Sequence, residues 1–252
     1  MNSLYLGLDK DIELPKGGFL YIGDDPPDIP RARVFDITRH SFNPLKDINY
    51  KKARELTNAL YAISPQGENT LTVRDGRRAL LPALLAKPYD HRPYRFDRVT
   101  TTSTEVLSLI DDILASPILK HVLCGSKPFS FASNTRHSNT RIIAKLDRAV
   151  IGDFDALVLG LLLINHFKGQ IIIPDFGFFG RDAHISLVRE NRLIAGVNFL
   201  DELPTKLKQA CLLIKDKRAA SALYEDAVVL AKFAGYSPST NEFNDDVRYS
   251  MS

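Results

Sequence analysis

Short apolar runs and longer amphipathic ones alternate along this chain. Phe19-Leu20-Tyr21-Ile22 is an uninterrupted apolar run, entered through Gly17-Gly18 and stopped by Gly23-Asp24-Asp25-Pro26-Pro27, where two prolines remove backbone donors. Arg33 to Ile37 is a second strand candidate, and His40 to Leu45 reads as a turn. From Tyr50 to Ile63 the apolar residues Ala53, Leu56, Leu60 and Ile63 recur at helical spacing. A further helix, capped by Asp75, is expected to reach Ala86, with Pro82 an awkward interior residue. Lys87 to Arg98 reads as a linker. Thr102-Ser103-Thr104-Glu105 has the form of a capping box with Thr102 as N-cap, ahead of a stripe of Val106, Leu109, Ile110, Ile113 and Leu114.

The second half is more sharply patterned. Arg141 to Leu146 reads as a strand, and Ile151 to Phe167 as a helix apolar nearly all round after Asp155. Gln170-Ile171-Ile172-Ile173 is a β-branched run of the kind buried on both faces of a parallel sheet. Helices are expected at His184–Asn191, from Pro204, and at Ala222–Ala234 with Gly235 closing the last. Strands are expected at Leu193–Val197 and Cys211–Ile214. This alternation predicts an α/β fold: a three-layer parallel sheet with helices on both faces, built from 19–22, 33–37, 141–146, 170–174, 193–197 and 211–214. The expected organisation is one domain over residues 1–236, a helical insertion at about 65–135, and a polar tail over 237–252 without periodicity.

Composition narrows the class without identifying it. Of 252 residues, 44% are hydrophobic and 25% charged, which excludes wholesale disorder. Two cysteines, Cys124 and Cys211, stand in apolar surroundings without CxxC spacing, so neither a disulfide framework nor a zinc ligand set is expected. No basic segment followed by an apolar run opens the chain, and its longest apolar stretch, Ala156–Ile164, is far short of a span. A cytoplasmic protein with no membrane span is the expectation. The net charge of +3 says little about partners, so any nucleic-acid reading depends on where the charges sit.

In open parallel sheets ligands bind beyond the carboxyl ends of the strands. Asp175, after Ile171-Ile172-Ile173-Pro174, stands where a Walker B strand keeps its Mg²⁺-holding carboxylate. FNPL followed by a helix ending ARELTNALY, then RIIAKLDRA, IIIPDF, NRLIAGVNFLDELPTKLKQACLLI and EDAVVLAKFAG, together resemble the HerA/FtsK superfamily of P-loop ATPases. That superfamily includes the conjugative coupling and type IV secretion ATPases. The resemblance covers most of residues 30–235 and implies a RecA-like fold, with Asn198 in the place of a polar sensor residue, usually Gln.

The departures bear directly on activity. A phosphate loop needs GxxxxGK[ST], so that glycine amides wrap the phosphates and Lys reaches the β/γ oxygens; the chain has no such string. Placed after Phe19–Ile22, the loop position holds Gly23-Asp24-Asp25-Pro26-Pro27-Asp28. Its carboxylates would oppose a triphosphate, since like unit charges about 4 Å apart repel by about 4 kcal/mol at an effective dielectric near 20. Phe176 stands where the water-polarising Glu is expected. No cofactor is therefore expected, although Asp24, Asp25 and Asp28, with Asp175, would suit a hard divalent cation such as Mg²⁺, the alternative being a solvated acidic turn. The histidines, His40, His121 and His184 among them, fall in no nucleophile setting.

Basic residues interleave with aromatics in the stretch containing Lys87, Arg92, Tyr94, Arg95 and Arg98, a composition suited to phosphate contact and base stacking. Arg136, His137, Arg141, Lys145 and Arg148 form a second cluster, whereas Arg181, Arg189 and Arg192 flank the Walker B-like run and would act in trans on a neighbouring subunit. Each set has an ordinary structural alternative: a packed linker, or ion pairs. The resulting expectation is a catalytically degenerate P-loop-ATPase-like protein serving as a DNA-associated or assembly component beside homologous ATPase subunits. Two other readings stay open: a metal-dependent nuclease or ATPase with an atypical phosphate loop, and a purely structural adaptor.

Overall fold

Parallel strand pairing organises the chain. The computed structural model describes residues 3–6, 12, 14–62, 71–131, 140–167, 169–179, 193–197 and 212–214. Seven strands are described: β1 (Ser3–Leu6), β2 (Phe19–Gly23), β3 (Arg33–Phe35), β4 (Arg141–Lys145), β5 (Gln170–Ile173), β6 (Leu193–Val197) and β7 (Leu212–Ile214). They form one sheet in the order β3-β4-β2-β5-β6-β1-β7, and every pairing is parallel. At its centre Tyr21 lies opposite both Ile143 and Ile172.

Alternation along each strand divides the core. Leu20, Ile22, Ile142, Ile171, Ile173 and Val197 join the larger cluster, on the face that the helices cover. Phe19, Tyr21, Ile143, Ile172, Ile194 and Tyr5 form a smaller cluster on the opposite face, closed by Ile29 with Ile12 and Ala32 against it. β2 and β6 are buried at every position, the state expected of inner parallel strands.

The helices are α1 (Tyr50–Ala62), α2 (Leu71–Leu85), α3 (Thr104–Ala115), α4 (Pro117–Cys124), α5 (Arg148–Ile151), α6 (Asp153–His166) and α7 (Phe176–Phe179), with a 3-10 turn at Phe96–Arg98. The architecture is α/β, an all-parallel sheet with helices consistent with the three-layer RecA-like type. α2, α3 and α4 lie between β3 and β4 in sequence, and their apolar faces enter the same core cluster as the sheet. The helices expected at 184–191, from 204 and at 222–234, and the tail at 237–252, lie outside the described residues.

Several local expectations change. α2 begins at Leu71, so Asp75 lies inside it instead of capping it. Pro82 is tolerated there because it and Arg78, whose carbonyl loses a donor, are both exposed. The N-cap of α3 is Ser103, not Thr102: Ser103 Oγ accepts from Val106 N at 3.4 Å and donates to Glu105 at 2.7 Å. β1 was not anticipated; only Leu4-Tyr5-Leu6 before Gly7 hinted at it.

Two glycines shape α6. Gly152, at φ 83°, makes the break between α5 and α6 that a side chain would strain. Gly160 lets α7 approach, since a methyl there would sit 2.8 Å from Phe179 Cδ1.

Candidate functional site

Three adjacent strands, β4, β2 and β5, deliver Arg148, Asp24 and Asp175 to one point beyond their carboxyl ends. Leu146 N donates to Gly23 O at 2.9 Å, carrying the β2–β4 ladder one step past the strands. Asp147 then caps α5 by accepting from Ala149 N, and Arg148 becomes the first helical residue. Arg148 Nε donates to Asp24 Oδ2 at 2.7 Å and its backbone N to Asp24 Oδ1 at 3.2 Å. Nη2 lies 2.5 Å from Asp24 Oδ2 and 2.9 Å from Asp175 Oδ2. The guanidinium also lies over the Phe178 ring, 4.3 Å from its centroid. Asp175 in turn accepts from Phe178 N at 3.3 Å and so fixes the start of α7.

One cation thus serves two carboxylates, each about a third exposed. Burial works against the Arg148 charge, but the Asp24 hydrogen bond and the Asp175 charge outweigh it and raise its pKa. The cluster is an ion-paired clasp between strands. Asp25 and Asp28 are exposed and stand apart from it. Asp25 instead faces Tyr21, whose hydroxyl is pushed up to about 12 by burial first and by that carboxylate second. Among the described residues no three His, Cys, Asp or Glu side chains come together as a metal site. The role of Arg148 was missed in the sequence, where it counted only as one member of a basic cluster; its partners lie 124 and 27 residues away.

Strand order bears on the expected phosphate-loop position. Here β1 stands between β6 and β7, and β6 separates it from β5. In a RecA-like order β1 would be the strand that feeds the loop, which would then follow Leu6 instead of Ile22, with Asp24 and Asp25 in the turn after β2 on the other side of β5. Only residues 7–18 join β1 to β2, and the described stretch Leu14–Gly18 is irregular. A GxxxxGK[ST] loop with the helix behind it does not fit that length. Nor does the turn after β2 open a helix; residues 24–32 run irregularly into β3.

The basic-aromatic stretch folds against the protein. Tyr94 is buried, its hydroxyl donating to Ala83 O at 2.8 Å, so its ring is not presented for stacking. Arg95 donates to Cys124 O at 2.5 Å, and Arg98 bonds Asp90 and the Pro93 carbonyl. Lys87 and Arg92 remain exposed. Arg141 begins β4, at the opposite edge of the sheet from Arg148. Arg136, Arg181, Arg189, Arg192 and Asn198 lie outside the described residues.

Aromatic side chains gather elsewhere, at the C-terminal end of α6. Phe35 packs against Phe42, Phe129 and Phe131 at centroid separations of 5.8, 5.4 and 5.5 Å. His166 closes on Phe42 and Phe131 at 5.5 and 5.3 Å. Beside them lies a cavity of about 410 Å³. Of its lining residues only Phe42 and Asn43 stood out in the sequence, within FNPL and for another reason, because the lining comes from three distant segments.

No helix among the described residues is long and apolar enough to cross a membrane. Comparisons with protein-family models, curated proteins and solved structures return no match.

Proposed function

We propose that this protein is a non-hydrolysing relative of DNA-translocating P-loop ATPases, serving as a DNA-associated assembly component. One observation carries the reading: β1 holds the place of a phosphate-loop strand in a RecA-like order, yet its link to β2 is too short for the loop and its helix. Three features support loss of hydrolysis. The Walker B-like Asp175 is bound to Arg148, Phe176 replaces a catalytic Glu, and GxxxxGK[ST] is absent. A cation held in place by two carboxylates serves cohesion of the strand tips more directly than catalysis.

The test uses purified protein with labelled ATP and labelled DNA, each with and without Mg²⁺. The reading expects DNA binding that weakens with salt and no ATP turnover. Turnover abolished by Asp175→Ala would establish an enzyme instead, and failure to bind DNA would leave a protein-contact adaptor.

A further inference from the structure

The geometry points to a second, unassigned site: the cavity at the C-terminal end of α6, which we infer takes an aromatic base bearing a phosphate. This inference rests on the nucleic-acid part of the proposed function and supplies the contact which that reading lacks. Phe42, Phe129, Phe131 and His166 form the walls, and Lys46 and Lys52 stand at the rim. The volume of about 410 Å³ lies within the usual range for small-ligand pockets. Phe129 and Phe131 meet edge to face at 4.8 Å, and Arg33 lies over Phe129 at 4.8 Å from its centroid. Phe42 and Phe131 are buried and back the wall, whereas Phe129 and His166 are half-buried and present the ring surface that a flat π system would meet.

The lysines supply the complementary half. Lys52 Nζ is steered by two backbone carbonyls, Asp47 O at 3.1 Å and Lys46 O at 3.4 Å. Among the described residues neither Lys46 nor Lys52 forms an ion pair with a carboxylate, in contrast to Arg98 and Arg148. Lys46 and Lys52, set against the single carboxylate of Asp47 in the same lining, leave the rim net positive, which matches a phosphate beside a base; a purely apolar ligand would leave that charge without a role. A free nucleotide and one unit of a single strand share this chemistry.

Two probes separate the sources: deoxyadenosine monophosphate and a short labelled oligo(dA). Phe129→Leu should weaken oligo(dA) binding about tenfold, through lost stacking. Lys46→Gln, at an exposed rim position, should weaken it about fivefold and lower the salt slope by about one. Arg78→Gln, at an exposed position on α2 paired with Asp75, should leave it unchanged. In proton NMR, the His166 ring signals should shift on adding either probe, and equal melting temperatures of wild type and Lys46→Gln exclude misfolding as the cause. Oligo(dA) binding indifferent to both Lys46→Gln and Phe129→Leu would overturn the pocket while sparing the DNA reading. Monophosphate binding that Phe129→Leu abolishes, without strand binding, would uphold the pocket and sink the DNA reading. Silence from both probes would overturn both.

Discussion

The two ends of α6, about 20 Å apart, use the same ingredients to opposite effect. Each end brings cationic side chains to aromatic rings beside the parallel sheet. At the N-terminal end Arg148 sits over Phe178 but is consumed by Asp24 and Asp175. At the C-terminal end Lys46 and Lys52 border Phe42, Phe129 and Phe131 with no carboxylate partner among the described residues. A basic residue advertises a binding site only when the fold has left its charge unmatched. By that criterion, among the described residues, the Arg148 end is closed by charge pairing and the Lys46 and Lys52 end is open.

The largest expected effect tests the open end. Phe35 is fully buried and touches Phe42, Phe129 and Phe131, so Phe35→Ala should cost about 3–5 kcal/mol, measured by denaturant unfolding. Whatever remains folded should lose the cavity walls and any base binding with them. A cost below about 1 kcal/mol would mean that the rings do not act as one packed unit.

Next in size is the closed end. Arg148→Ala leaves two carboxylates facing each other without their shared cation, and should destabilise by about 2 kcal/mol, reduced from a fully buried pair because the groups are about a third exposed. Probe binding at the other end of α6 should be unaffected. If Arg148→Ala weakened it, the two ends would be coupled and their contrast would fail.

The smallest effect is a pH dependence. Asp155, buried in the first turn of α6, accepts from Ser116 Oγ at 2.5 Å. Burial raises its pKa, and the Ser116 bond only partly opposes this. The folded state therefore holds the proton to higher pH than the unfolded state does. Stability contributed by the protonated form is present below the ordinary carboxylate range and declines as pH rises through the raised folded value. Asp155→Asn should remove that decline and leave the protein slightly more stable at neutral pH, as melting curves from pH 4 to pH 8 would record. A steeper decline in the variant would contradict the assignment.

Legibility followed range. The strand candidates at 19–22, 33–37, 141–146, 170–174, 193–197 and 211–214 all correspond to strands; for β2, β5 and β6 the reason is burial on both faces, whereas the edge strand β3 leaves Arg33 and Val34 exposed. Ser3–Leu6 was too short to stand out, yet it takes an inner place in the sheet, between β6 and β7. Asp24 and Asp175 are chemistry-bearing residues in the sequence, where they stand with Asp25 and Asp28 as carboxylates that would suit a hard divalent cation. Their real partner, Arg148, reaches them only through the adjacency of β4, β2 and β5. Tyr94, Arg95 and Arg98 showed the opposite failure: a composition suited to nucleic acid is also one that packs a linker onto helices, and composition does not distinguish them.

The sequence by itself determined every described strand but β1, the longer helices, the parallel character of the sheet, and the lack of a GxxxxGK[ST] string, because periodicity and motif content are local. Only the tertiary structure decided the strand order, the pairing that neutralises Arg148, and the meeting of Phe42, Phe129, Phe131 and His166 around one cavity. Those outcomes depend on which distant segments become neighbours, and that is set by burial of the whole core.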